Sequence, residues 1–117
     1  MIVAIVNAVI PPVELPAELF IERAAWEDVE RAAAAGTPHY VRHAGTAMLL
    51  GAPPNDGFYE PRIGDVYLVV RLKPGVAPRG AEIEAQVEDL EVLRVEVRRR
   101  TRQSGRRFEI TNPGGEG

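Results

Sequence analysis

The sequence predicts an α/β protein, a single domain in which a β-sheet is flanked by helices, and three stretches carry that prediction. Residues 2–10 and 66–72 are almost entirely apolar and rich in β-branched side chains, as is typical of strands buried on both faces. Residues 24–35 place apolar side chains at helical spacing and precede Gly36, which predicts an amphipathic helix with a glycine stop. A chain of 117 residues suits one domain with its own core.

Local signals fix the other elements of the first half of the chain. A proline pair at 11–12 ends the first strand. Residues 13–21 predict a loop with a short edge strand, because Pro16 has no backbone N–H to donate to a sheet. Trp26 lies at an apolar position of the predicted helix, so we assign its side chain to the core.

The second half of the chain predicts a short helix and then a C-terminal β-hairpin. Residues 82–90 have helical apolar spacing, and residues 92–97 alternate as a strand does. Gly105 predicts the turn, and Phe108 and Ile110 predict the return strand.

Composition excludes several classes of function. The chain has no cysteine, which removes disulfides, thiolate zinc sites and a cysteine nucleophile. No carboxylate accompanies the two histidines at ligand spacing, so we expect neither a metal nor another cofactor. No apolar run reaches the roughly 20 residues that span a bilayer, and the first residues lack a basic leader. We expect a cytoplasmic protein without a membrane partner, with one domain at 1–112 and a flexible tail at 113–117.

The stretch from residue 39 to residue 51 carries the first candidate site. It changes from extended, β-branched residues to helix formers and ends at Gly51, which places His43 at or beside a helix N-terminus. Free N–H groups there favour an anion such as a phosphate, and an imidazole can transfer a proton near neutral pH. Arg42 adds a fixed positive charge. The alternative is a surface histidine beside an ordinary helix cap.

Polar residues at the ends of the two apolar strands are the next candidates. Asn7 lies near the end of the first, where α/β sheets bind ligands; alternatively, its amide ties down the following turn. Arg71 ends the second strand and either extends to the rim of the sheet or meets an anion.

Arginines are concentrated late in the chain. Such a patch can neutralise phosphates, but alternating charge on an exposed hairpin also gives a solvated face that protects an edge strand. The residues concerned are Arg94, Arg98, Arg99, Arg100, Arg102, Arg106 and Arg107.

Four segments, in order, resemble the type III anti-CRISPR proteins, which are small viral and bacterial ring nucleases. They are IVNAVIPP, a long gap with one helix, YVRHAGTAMLLG and VVRLKPG, within residues 2–90. The most specific motif combines His43, Thr46 and Ala47 with the leucines that follow.

The resemblance implies a mixed β-sheet flanked by helices and a homodimer whose shared cleft holds cyclic tetra-adenylate. It implies a metal-independent phosphodiesterase that opens the ring to linear di-adenylates with 2′,3′-cyclic phosphates and so switches off type III CRISPR signalling. The family's catalytic histidine falls on His43, its strand-end asparagine on Asn7 and its phosphate-binding arginine on Arg71. Arg42 and Thr46 join the predicted substrate-binding residues, and DNA is not an expected partner.

The chain departs from the family pattern at two places, and these departures keep a second function open. Arg42 replaces the glycine that commonly precedes the histidine, and Lys73, Pro74 and Gly75 stand where relatives have a glutamate that assists it. Loss of the glutamate favours a non-catalytic module that binds cyclic nucleotide or RNA, whereas retention of His43 favours the enzyme. A small interaction protein without a ligand is the third alternative.

Overall fold

The computed structural model describes residues 1–75 and 86–100, which form a mixed four-stranded sheet with two helices. The predicted α/β class is therefore confirmed. The strands lie in the order β1-β3-β4-β2. In chain order the elements are β1 (Ile2–Val6), β2 (Ala17–Ala24), α1 (Trp26–Ala34), α2 (Ala44–Leu50), β3 (Val66–Leu72), a 3-10 turn (Val87–Asp89) and β4 (Leu90–Arg99).

Three neighbouring segments of the sheet run in the same direction, namely β1, β3 and the short segment at residue 39. β1 pairs in parallel with β3, with Val6 opposite Val69. On the other side of β1, Ile5 forms a parallel bridge with His39, and the Tyr40 N–H donates to the Ile5 carbonyl at 2.8 Å. All three segments therefore end at one edge of the sheet, which we call the carboxyl edge.

β4 lies inside the sheet and is antiparallel to both of its neighbours, β2 and β3. Because both of its sides are occupied, the prediction that β4 forms one arm of a terminal hairpin is wrong for residues 90–99. The predicted return strand through Phe108 and Ile110, like the tail, lies outside the described residues. So does most of the predicted helix at 82–90, whose described end is the single 3-10 turn.

The two faces of the sheet are covered differently. On the helix face, α1 and α2 pack an apolar cluster against the strands, and Trp26 packs against it as predicted. On the loop face, a second cluster on the same strands is closed by apolar residues from the loops. The helix-face cluster contains Ile5, Val29, Ala32, Val41, Leu50, Leu68, Val70, Leu90 and Val92. The loop-face cluster contains Ala4, Val6, Tyr67, Val69, Leu93, Val95 and Val97.

Strand boundaries differ from the sequence predictions at two places. β1 ends at Val6 rather than residue 10, because the chain folds over the loop face and Ile10 exchanges two 3.0 Å hydrogen bonds with the Tyr67 hydroxyl. β2 has eight residues rather than a short run, since Pro16 lies immediately before it and costs it no hydrogen bond.

Candidate functional site at the carboxyl edge

His43 is the N-cap residue of α2, as the sequence predicted. Its Nδ1 accepts a hydrogen bond from the Thr46 backbone N–H at 3.3 Å and lies 3.0 Å from the Thr46 hydroxyl. This cap satisfies one of the N–H groups that have no partner within the helix. At the other end, Gly51 has φ 75°, a left-handed conformation that glycine adopts without strain. The cap thus orients the imidazole at the start of α2, and the glycine ends the helix.

The cap also selects a tautomer of the neutral His43 ring. Since Nδ1 accepts the Thr46 N–H, the ring proton belongs on Nε2. Nε2 makes no hydrogen bond with any residue in the described part of the chain. The side chain is half-buried, so Nε2 is the atom of this imidazole that remains for a ligand.

Thr46 is only 5% exposed, and its hydroxyl contacts the His43 imidazole. A threonine hydroxyl both donates and accepts, so it can remain bonded to Nδ1 whether or not that nitrogen carries a proton. Its predicted contact with substrate stays a prediction. The contact in the structure is one that orients the histidine.

Arg42 fastens a loop beside the site. Its Nη2 donates to the Gly57 carbonyl at 2.6 Å and to the Asn55 carbonyl at 3.3 Å. The Tyr40 hydroxyl accepts from the Asn55 side-chain amide at 3.3 Å. The Arg42 side chain is exposed, but part of its donor capacity is used within the protein. Its predicted role in substrate binding stays a prediction.

His39 has a purely structural environment. It is 5% exposed; its Nδ1 accepts from the Val41 N–H at 3.2 Å, and its Nε2 lies 2.6 Å from the Ala52 carbonyl. Both nitrogens are thus used by the backbone, and the ring ties the strand-like segment to the loop that follows α2.

Asn7 immediately follows β1 at the carboxyl edge. Its side chain is exposed and makes no hydrogen bond with another described residue. The alternative of a bond to the following turn is therefore not observed in this part of the chain. The amide is available to a ligand.

Arg71 reaches the same edge from β3, two residues beyond the Val6–Val69 pair. Its Nε donates to the Glu91 carboxylate at 2.6 Å, with side-chain exposures of 44% for Arg71 and 8% for Glu91. Arg23 Nη1 lies 3.9 Å from the other Glu91 oxygen. The anion that Arg71 meets in the structure is thus Glu91, its cross-strand neighbour.

Glu91 was not predicted from the sequence as a site residue. Along the chain it is one acid in an alternating strand, and only the antiparallel pairing of β3 with β4 brings it beside Arg71. The sole local signal was its place beside Leu90 and Val92 in an otherwise apolar run, where an acid is unusual unless it is paired.

Three predicted site residues, His43, Asn7 and Arg71, lie at the carboxyl edge of the sheet. His43 and Arg71, however, belong to different faces of it. By alternation along β3, Arg71 follows Val69 on the loop face, whereas Val70 belongs to the helix face. The helix that begins after His43 packs through Leu50 on the helix face. A ligand that meets both side chains therefore has to lie across the edge rather than on one face.

Two of the three arginines of β4, Arg94 and Arg98, are paired within the sheet. Arg94 lies 3.5 Å from Glu22 and 3.8 Å from Glu96. Arg98 lies 3.1 Å from Glu96 and sits over the Phe20 ring at 3.8 Å. The hydrogen bond from Arg98 lowers the pKa of Glu96. These contacts lie beside β2, an edge strand; the predicted charged face of the hairpin stays a prediction, because Arg102, Arg106 and Arg107 lie outside the described residues.

Tyrosines close the loop face near the site. The Tyr59 hydroxyl donates to Asp65 at 2.6 Å; burial, then the hydrogen bond to that carboxylate, raises the pKa of Tyr59 far above its ordinary value. Burial also raises the pKa of Tyr67, partly offset by its bond to Ile10. Both phenols stay neutral at physiological pH and serve as structural hydrogen-bonding groups.

No protein-family model matches the chain, and a search of curated proteins finds no match either. Across the described residues, no three His, Cys, Asp or Glu side chains come together in a group that could hold a metal ion. None of the helices in that part of the chain is long and apolar enough to cross a bilayer.

Proposed function

We propose that the protein is a metal-independent ring nuclease that binds cyclic tetra-adenylate and opens it to linear di-adenylates. The observation that carries this proposal is His43: its Nδ1 is fixed by the helix start, its Nε2 has no partner in the described residues, and it lies at the same sheet edge as Asn7 and Arg71. The resemblance of the sequence to the type III anti-CRISPR family supplies the identity of the substrate.

The reaction needs a nucleophile from the substrate and an acid from the protein. A ribose 2′-hydroxyl loses its proton to water as its oxygen attacks the adjacent phosphorus, the bond from phosphorus to the 5′-oxygen breaks, and a 2′,3′-cyclic phosphate remains. The departing 5′-oxygen takes the proton from Nε2 of the His43 imidazolium. In that charged form Nδ1 no longer accepts from the Thr46 N–H, and Nδ1–H donates instead to the Thr46 hydroxyl, 3.0 Å away.

Charge stabilisation is assigned to Arg71 and Asn7. With Nε held by Glu91, the two terminal nitrogens of Arg71 remain to bind a phosphate. The Asn7 amide donates to a second oxygen. In-line attack within a held substrate depends mainly on such positioning and charge. Two copies of the chain, related by a two-fold axis, match a ring with the same symmetry.

Two observations favour a non-catalytic binding module instead. Arg71 is already paired with the buried Glu91, which reduces the positive charge available to a transition state, and Lys73, Pro74 and Gly75 replace the family's glutamate. Such a protein would retain the ring intact.

Incubation with cyclic tetra-adenylate in EDTA, followed by chromatography, separates these functions. We expect metal-free cleavage by the wild type and none by His43→Ala, with binding of the ring retained. An intact ring that is bound by both proteins identifies the binding module. Absence of both binding and cleavage rejects both proposals.

Arg71→Ala tests the phosphate contact directly. We expect ring binding to weaken by about 1.5–3 kcal/mol, the scale of a charge-assisted hydrogen bond. The matched control is Arg62→Ala, an exposed arginine in the loop that precedes β3 at the opposite edge. Unchanged affinity in calorimetry for Arg71→Ala, or an equal loss in the control, removes Arg71 from the site.

A further inference from the structure

The outer edge of β2 has no partner strand in the part of the chain that the structure describes. Its inner edge pairs with β4 over all eight residues of the strand without a bulge, and the strand contains no proline. Two large apolar side chains are exposed in its middle, Phe20 at 41% and Ile21 at 50%. An edge of this kind is a template for a further strand, because prolines and bulges are what usually prevent such pairing.

Hydrogen bonds at β4 show which backbone groups of β2 point outward. The Arg100 N–H donates to the Pro16 carbonyl, on the β2 side, at 3.2 Å. The Val97 N–H donates to the Asp65 carbonyl, on the β3 side, at 2.9 Å. Backbone groups alternate in direction along a strand, so the even-numbered residues of β2 bond to β4. The odd-numbered residues direct their N–H and carbonyl groups away from the sheet, and these are Ala17, Leu19, Ile21 and Arg23.

We infer that a second copy of the chain pairs with this edge, antiparallel, about a two-fold axis at Ile21. The axis is perpendicular to the sheet, so each face continues from one copy into the other. Ile21 lies opposite Ile21 of the second copy, and Leu19 lies opposite Arg23. Because these residues all have outward backbone groups, each such pair exchanges two hydrogen bonds. The two sheets thereby join at what we call the β2 junction.

Charge selects this axis over its immediate neighbours. An axis at Phe20 sets Glu18 opposite Glu22 of the second copy, and an axis at Glu22 sets the two Glu22 carboxylates opposite each other. Like charges directly opposite each other destabilise a sheet. With the axis at Ile21, Phe20 lies opposite Glu22 and Glu18 lies opposite Ala24. No like charges are then directly opposed within the paired strands.

Two further axes are disfavoured by charge and by strand length. An axis at Arg23 sets two guanidinium groups opposite each other. An axis at Leu19 pairs only residues 17–21 of each copy, because β2 begins at Ala17. The axis at Ile21 pairs residues 18–24. It therefore gives the longest ladder without opposed charges, and it packs the exposed Ile21 side chains of the two copies against each other.

The β2 junction is separate from the cleft of the proposed function. β2 is at the opposite edge of the described sheet from β1, and the segment before His43 lies on the outer side of β1. In the joined sheet the two β1 strands are roughly 34 Å apart, given strand spacings of about 4.8 Å. The junction therefore does not bring the two His43 side chains together. Combined with a dimer that shares a cleft, it gives a tetramer of D2 symmetry.

Sedimentation of the full chain, with wild type and Ile21→Lys compared, tests the junction. Residue 21 faces itself across the axis, so the substitution sets two like charges opposite each other. We expect the mass of the assembly to halve, from tetramer to dimer if the cleft dimer forms and from dimer to monomer if it does not. The matched control is Val13→Lys, an aliphatic position outside β2 that is similarly exposed, at 54%, and it should leave the mass unchanged.

Three results overturn the inference. They are a monomeric wild type, which leaves the edge to a different protein, a mass that Ile21→Lys does not change, and an equal loss in the Val13→Lys control.

A charge pair tests the position of the axis. Ile21→Glu should halve the mass as Ile21→Lys does, and an equimolar mixture of the two variants should restore it, because lysine then faces glutamate. This restoration is specific to an arrangement in which residue 21 faces itself. A mixture that stays at half the mass overturns the axis at Ile21.

Deletion of residues 101–117 distinguishes a second copy from a segment of the same chain. We expect the deleted protein, with an unchanged circular dichroism spectrum, to have the same number of copies in its assembly as the full chain. An assembly that doubles only after the deletion assigns the edge to those residues and overturns the inference.

Failure of this inference is distinguishable from failure of the proposed function. Ile21→Lys should cleave cyclic tetra-adenylate at the wild-type rate, because β2 is at the other edge of the sheet from the segment that leads to His43. A halved mass without cleavage by any of the proteins supports the junction and rejects the enzyme. Cleavage with a mass that Ile21→Lys leaves unchanged supports the enzyme and rejects the junction.

Discussion

His39 and His43 lie four residues apart, and the protein uses their imidazoles in opposite ways. The His39 ring is buried with both nitrogens bonded to backbone groups. The His43 ring is half-buried, with one nitrogen bonded at the start of α2 and the other unbonded in the described chain. A histidine whose two ring nitrogens both bond to backbone groups has a structural role. A histidine that keeps one ring nitrogen unbonded is a candidate for catalysis.

The substitution His43→Asn tests most directly whether His43 acts in cleavage or serves only as an N-cap. Asparagine is a favourable N-cap, so we expect the free energy of unfolding to stay within about 0.5 kcal/mol of wild type. Cleavage of cyclic tetra-adenylate should fall about 10²- to 10⁴-fold, the usual contribution of a general acid. Single-turnover rates and urea denaturation measure the two effects. A variant that cleaves normally shows that His43 is only a cap.

His39→Ala is the reciprocal test. It leaves the Ala52 carbonyl and the Val41 N–H without their partner in a buried position, so we expect a loss of about 2–4 kcal/mol in the free energy of unfolding. Urea denaturation followed by circular dichroism measures it. At a temperature where the variant is folded, cleavage should remain within a few-fold of wild type. A large loss of cleavage in the folded variant would show that both histidines belong to the reaction.

Thr46→Val refines the description of the His43 environment. It removes a buried hydroxyl from Nδ1 while nearly preserving side-chain shape, and we expect a loss of about 1 kcal/mol in stability with a smaller loss of cleavage than in His43→Asn. Thr46→Ser, which retains the hydroxyl, should recover much of the cleavage. If Thr46→Val and Thr46→Ser cleave equally, the hydroxyl does not orient the ring.

The loop between α2 and β3 is bonded to His39 at Ala52, and near its other end the Tyr59 hydroxyl donates to Asp65. Alkaline pH tests the second of these hydrogen bonds. The pKa of Tyr59 is raised in the folded protein, so its neutral form contributes stability that is fully present below about pH 10, where an unfolded tyrosine ionises. That contribution is lost as the pH rises further. Denaturation at several pH values, with tyrosinate absorbance, should show a weaker decline in Tyr59→Phe; an identical decline assigns the effect to Tyr67 or other groups.

The sequence predicted an element correctly where turn residues or glycines next to it in the chain set its limits. β3 matches its predicted span of 66–72, because the turn at Gly64 and Asp65 precedes it and Pro74 follows soon after. α2 ends before Gly51, as the glycine indicated. His43 was found for the same reason, since a helix start is a local feature.

The missed features depend on pairing between distant parts of the chain. The position of β4 inside the sheet follows from two ladders with β2 and β3, and no periodicity within residues 92–97 encodes it. Glu91 became a candidate only because that register sets it opposite Arg71. The early end of β1 likewise depends on Tyr67, whose hydroxyl holds Ile10.

The internal position of β4 has a consequence for synthesis of the protein. Among the described strands β4 is made last, yet β2 pairs with no other strand of that set. A nascent chain on the ribosome therefore carries β2 unpaired, with Phe20 and Ile21 among its side chains, until residue 99 has left the exit tunnel. Such long-range pairing is slow and leaves apolar strands open to self-association, so expression at low temperature should favour soluble product.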